Sequence, residues 1–130
     1  MDQLFDAMGL DADGNPKHFN KAKVIDAACL QRQADWSLAT FGPGDRTRGI
    51  MEHINKEFRE ILDDQMAGGK PEISEWIDVL VLALDGCWRD GMTPQEIIDK
   101  LAAKQAINEA RTWPDWRAFT DGQAIEHVRD

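Results

Sequence analysis

Glu57-Phe58-Arg59-Glu60 and, after a Gly68-Gly69 turn, Glu75-Trp76-Ile77-Asp78 decide how this chain folds. In a helix, residues three apart share a face with Cβ atoms about 5–6 Å apart, so each pair aims two carboxylates the same way. Both cross-pairs, Glu60 with Glu75 and Glu57 with Asp78, are centred on the middle of the intervening turn. An antiparallel helical hairpin would therefore bring all four carboxylates level. Like charges at that spacing repel, and a bound divalent cation is the simplest compensation.

The flanking sequence supports the hairpin. Over 47–65, Ile50, Met51, Ile54, Phe58, Ile61 and Leu62 fill one arc at 100° per residue, bordered by a stripe of His53, Glu57, Glu60 and Asp64. Over 71–90 the helix opens on Pro71, a favourable first-turn residue. From Trp76 to Leu84 it is apolar nearly all round, so a buried central helix is expected. Glu75, Asp78 and Asp85 share one arc of it, where acidic residues are least expected on burial grounds. Asp85 lies seven residues past Asp78, about 10 Å along a helix, and is expected to pair with a Lys or Arg rather than join the same ion. His53, one turn before Glu57, is placed to orient it, and Lys56 to reach phosphate or solvent.

Two more helices complete an all-α, four-helix reading. One spans 21–40 and stops at Phe41-Gly42-Pro43-Gly44-Asp45; the other starts at Thr93-Pro94-Gln95-Glu96, a capping box with Pro at N1, and runs to about Arg111. No β-period alternation or internal repeat interrupts this pattern. On the last helix Lys104, Asn108 and Arg111 fall at i, i+4 and i+7, on one face. The expected division is an irregular lead-in over 1–20, a four-helix catalytic bundle over 21–112, and a tail over 113–130. Trp113 and Trp116 should pack that tail on the bundle, and a short helix is expected near 123–129.

Composition narrows the function. A 130-residue chain with 42% apolar residues makes one domain with one core. No apolar run is long enough for a membrane span, and Met-Asp-Gln-Leu-Phe-Asp has no basic leader region, so a cytoplasmic protein without a membrane partner is expected. The net charge of −9 argues against binding a nucleic acid polymer. Cys29 and Cys87 sit among apolar neighbours and are expected to be buried thiols, not a zinc site or disulfide. Asp11-x-Asp13-Gly14-Asn15 has a calcium-loop flavour but lacks the spacing and the terminal Glu.

Oxygen-only ligands favour Mg2+ or Mn2+ over zinc, and a di-iron bundle would need Glu-x-x-His pairs that are absent here. Two such ions about 3.5–4 Å apart can activate a water and stabilise a leaving oxygen in phosphoryl chemistry. Lys104 and Arg111 would then contact phosphates, with Asn108 adding a hydrogen bond.

Glu57-x-x-Glu60, Glu75-x-x-Asp78 and Lys104-x-x-x-Asn108 together resemble the signature of the MazG-like all-α nucleoside triphosphate pyrophosphohydrolases. The longer runs FGPGDRTRGIMEHINKEFREI, EWIDVLVLALDGCWRDG and AKQAINEARTWPDWR are similar to a phage-associated branch, the MazZ-type dATP/dGTP pyrophosphohydrolases. The resemblance covers about residues 30–129. It implies a MazG-like bundle that cleaves between the α- and β-phosphates of purine dNTPs, giving a nucleoside monophosphate and pyrophosphate. It also implies two or more Mg2+ or Mn2+ ions held by Glu57, Glu60, Glu75 and Asp78, with Glu57 or Glu60 orienting the attacking water. Lys104, Asn108 and Arg111 would hold phosphates. Gln33, Trp36 and Phe41, with Arg46 nearby, would form the base pocket, although Trp36 also has a core reading. A homodimer or homotetramer is implied, working in a host cytoplasm if phage-encoded. The competing functions are a house-cleaning NTP pyrophosphatase of broad range and a non-catalytic helical interaction module.

Overall fold

The computed structural model describes residues 25–69 and 73–129, the side chains of residues 73 and 74 excepted. The expected lead-in over 1–20, the first residues of the first helix and the Pro71 start of the third lie outside these. The described residues form four α-helices and one 3-10 turn, with no strand. The helices are α1 (Ala27–Phe41), α2 (Thr47–Met66), α3 (Ile73–Arg89) and α4 (Pro94–Ala110). The chain divides into two compact units, up to Ile97 and from Ile98 onward.

In the first unit both α1 and α2 pack on α3, α2 more extensively. Helix α1 begins at Asp26, whose side chain accepts the Cys29 N–H at 2.9 Å and so satisfies one of the four unpaired amides at a helix start. Its buried residues, Leu30, Ala34 and Ser37, follow a helical stripe, and the two small ones let the helices approach closely. It ends where Gly42, at φ +82°, donates its N–H to the Leu38 carbonyl at 3.0 Å. Gly44 also has positive φ, so the Gly-Pro-Gly link turns in a conformation side chains rarely adopt. Asp45 starts α2 by accepting the Thr47 N–H at 2.8 Å.

Helix α2 buries Ile50, Glu57 and Ile61, positions i, i+7 and i+11 of one face. Each isoleucine contributes about 1.5–3 kcal/mol by leaving water; the glutamate between them costs free energy unless something partners it. Helix α3 is central, as expected, yet it is not buried all round. Trp76, Ile77 and Leu80 remain about half exposed because the packed neighbours cover only part of its circumference. Cys29 is also exposed, on the outer side of α1, and Cys87 is half-buried; both are free thiols.

Helix α4 starts as its capping sequence requires, with Thr93 Oγ1 accepting the Glu96 N–H at 3.2 Å. The Thr93 hydroxyl also donates to the Glu96 carboxylate at 3.1 Å. In the second unit the tail corrects the expectation of a helix near 123–129. Residues 124–129 have no regular structure, and the helical turn is the 3-10 segment Trp116–Ala118. The reason is tertiary: the Val128 N–H donates to the Thr112 carbonyl at 2.8 Å, spending a donor that a helix would need. Trp113 fixes this arrangement, giving its indole N–H to the Asn108 carbonyl at 2.7 Å and meeting His127 edge-on at 5.9 Å. Trp116, contrary to expectation, is largely exposed, with Arg117 over its ring.

Candidate active site

The acidic stripe of α2 faces α3 at the rim of the core. Glu57 is only 5% exposed, and its partner is His53, one turn earlier, with Nε2 at 3.3 Å from Oε1. Glu60, half-exposed, pairs with Lys56 at 3.5 Å. Across the hairpin, Glu75 is partly buried, and its Oε2 is sealed from solvent without any hydrogen-bond partner. Burial pushes the Glu75 carboxyl above its ordinary range, and the charges of Asp64, Glu60 and Glu57 push it the same way. The hairpin thus brings Glu57, Glu60 and Glu75 into one electrostatic cluster.

Asp64 belongs to that cluster and was not among the expected ligands. The signal was present in the sequence, since Asp64 lies on the same stripe, four residues beyond Glu60 and seven beyond Glu57. Asp78 is exposed and three residues along α3 from Glu75, and it borders a cleft next to the cluster.

That cleft, about 300 Å³, is lined by Gln33, Trp36, Phe41, His53, Asp78 and Asp85, among others. The three residues expected to meet a base therefore line one cavity together with one of the expected metal ligands. Trp36 is 56% exposed, which removes its core reading; it meets Phe41 edge-to-face at 5.5 Å. Arg46 lies over the Phe41 ring, 5.8 Å from its centre. The cleft combines aromatic faces with a carboxylate at its border, a form suited to a flat, partly apolar ligand.

Asp85 is 6% exposed and pairs with an arginine, as expected, but the partner is on its own helix. Arg89 Nε donates to Asp85 Oδ2 at 3.1 Å, and the Trp88 indole N–H donates to Oδ1 at 2.6 Å. Of the phosphate-binding candidates, Lys104, Asn108 and Arg111 all lie in the second unit. Lys104 is exposed, and Arg111 donates to the Asn108 side-chain carbonyl at 3.1 Å.

The donor set suits a hard divalent cation: carboxylate oxygens only, one of them buried and unpartnered beside three further acidic side chains. Among the described residues, no three Asp, Glu, His or Cys side chains converge closely enough to enclose an ion in their present rotamers. Also among them, no helix is long and apolar enough to cross a membrane.

Comparison with known proteins agrees with this geometry. The model of the dATP/dGTP pyrophosphohydrolase family matches residues 29–130. Among solved structures, the chain is similar to a cyanophage S-2L MazG-like pyrophosphohydrolase bound to dGDP and three catalytic Mn2+ ions per active site. The two share 28% identity with a TM-score of 0.55, over 80% of this chain and 94% of the cyanophage chain. A search of curated proteins gave no match. With the family model covering all four helices and the tail, this chain belongs to the dATP/dGTP pyrophosphohydrolase family and is a nucleotide pyrophosphohydrolase.

Proposed function

We propose that the enzyme hydrolyses dATP and dGTP between the α- and β-phosphates, using divalent metal held by Glu57, Glu60, Glu75 and Asp78. The observation that carries this reading is the orphaned, buried Glu75 oxygen beside Glu57, Glu60 and Asp64, a charge arrangement that needs a cation. Mn2+ ions and dGDP in the cyanophage protein support it. Glutamate side chains have rotatable bonds enough to close on such ions, and Asp64 is placed to join them. Bound Mg2+ or Mn2+ supplies neutralisation of the triphosphate and activation of a water.

The protein's own groups do the rest. Glu57, steadied by His53, or Glu60 orients the water and takes its proton. The water oxygen bonds to the α-phosphorus, the bond from that phosphorus to the bridging oxygen breaks, and the bridging oxygen leaves on pyrophosphate. Lys104, Asn108 and Arg111 hold phosphate oxygens. Trp36 and Phe41 take the base by its faces, and Gln33 supplies an amide to its edge. The assembly is a homodimer or homotetramer acting in the cytoplasm, where free dNTPs are its partners.

One assay tests the reading: incubation with each dNTP and NTP, with Mg2+ or Mn2+, quantifying monophosphate and pyrophosphate. Pyrophosphate is expected from dATP and dGTP and none after chelation. Release of inorganic phosphate instead would move the cleavage site, and equal turnover of pyrimidines would replace purine selection with the broad-range reading.

A further inference from the structure

Arg89, in the first unit, uses its whole guanidinium. Its side chain is 2% exposed, and each of its five N–H groups has an acceptor. Nε reaches Asp85 Oδ2 at 3.1 Å; Nη1 reaches the Gly42 and Gly44 carbonyls at 2.9 and 3.0 Å; Nη2 reaches Ser37 Oγ and the Ser37 carbonyl at 3.2 and 3.4 Å. The acceptors belong to three segments: α3 itself, the end of α1, and the Gly-Pro-Gly link. A cation at that point also suits the carbonyl end of α1, where the helix dipole is negative. Ser37, 1% exposed, is small enough to admit the guanidinium and polar enough to bond it.

The segments that Arg89 joins carry the aromatic wall of the cleft. Phe41 lies between Ser37 and Gly42, and Trp36 precedes Ser37, while Asp78 and Asp85 on α3 form the facing side. The spacing across the cleft is therefore set by how firmly the end of α1 and its glycine link are tied to α3. Among the described residues, no other hydrogen bond joins this link to α3. We propose that Arg89 is a positioning residue for nucleotide selection: by tying Ser37, Gly42 and Gly44 to Asp85 it fixes the Trp36–Phe41 wall at the width that suits a purine.

Lysine cannot replace it, because one ammonium offers three donors from a point where five acceptors lie around a plane. The inference rests on the cleft being the base site. Its test is steady-state kinetics of wild type, Arg89→Lys and Ser37→Ala with dGTP and dCTP, alongside thermal melting of each. Arg89→Lys is expected to raise KM for dGTP roughly tenfold, the scale on which a misfitted pocket discriminates, with kcat nearly unchanged and the preference for dGTP over dCTP reduced. Ser37→Ala, which removes one acceptor and buries no new charge, should move both quantities less and in the same direction. A folded Arg89→Lys protein with lower melting temperature but wild-type KM and preference overturns the inference, as does a fall in kcat alone. If Arg89→Lys does not fold, an unchanged KM and preference in Ser37→Ala overturns it. Wild-type protein that releases no pyrophosphate from dGTP overturns the functional reading beneath it, a separate result.

Discussion

At the proposed metal site, Glu75 concentrates the charge problem in a single side chain. A carboxylate with a buried, unpartnered oxygen and three acidic neighbours destabilises the metal-free fold. Glu75→Gln keeps the shape and removes the charge, so the metal-free variant is expected to melt higher than wild type by a few degrees. Because the Glu75 pKa is raised by folding, the destabilisation is fullest above that pKa and is relieved as pH falls through it; the advantage of Glu75→Gln should shrink in acid. The same variant should lose activity by more than the roughly 10–100-fold typical of outer-shell changes, and should no longer melt higher when Mn2+ is added. Thermal melts with and without Mn2+ check all of this together; a metal-free Glu75→Gln protein less stable than wild type would sink the charge-repulsion account. Trp36 carries the matching prediction for the proposed base site. Aromatic stacking is worth about 1–3 kcal/mol per base, so Trp36→Ala should raise KM for dGTP by roughly tenfold with kcat little changed, as read from initial rates.

The helices were legible because their signals are local. Thr93-x-x-Glu96 starts α4 where the capping sequence placed it, and Gly42 ends α1 at the link that Phe41-Gly42-Pro43-Gly44 announces. The helical hairpin followed from spacing; of its four expected carboxylates, Glu57 and Glu60 act on Glu75, while Asp78 borders the neighbouring cleft. What failed was tertiary. Asp64 sits on the stripe that was read, yet only the packing of α2 on α3 reveals that it faces Glu75. The tail helix near 123–129 lost to one long-range bond, Val128 to Thr112, that no propensity encodes. The pairing of Asp85 with a Lys or Arg was foreseen, but the reach of Arg89 to Ser37, Gly42 and Gly44, which lie 52, 47 and 45 residues away, was invisible. At this scale Thr93→Ala tests how much the cap holds. Loss of a threonine cap costs about 1 kcal/mol, so denaturant unfolding should show a drop of that order, with base preference unchanged because Thr93 does not line the cleft.

For the whole molecule the decisive quantity is what remains uncovered. Among the described residues the buried apolar ones are Leu30, Ala34, Ile50, Ile61 and Ile97, a small core. Meanwhile Phe58, Leu62, Trp76, Ile77 and Leu80, on the two helices that carry the carboxylates, are each about half exposed. Large apolar side chains exposed in such number on two paired helices are uncommon in a stable monomer, and an apolar α3 reads as a buried helix only when something covers it. A second copy is the occupant that the MazG-like resemblance implies, and it would bury a symmetric patch on both chains at once. Light scattering coupled to size exclusion should therefore give a mass of two or four chains. Leu62→Glu places a charge in that patch without touching Glu57, Glu60 or Glu75, and should shift the mass toward one chain while lowering thermal stability. If dissociation also abolishes pyrophosphate release, the active site depends on the assembled form; if the wild-type chain elutes as a monomer, these side chains must be covered by some other means and the oligomer proposal falls.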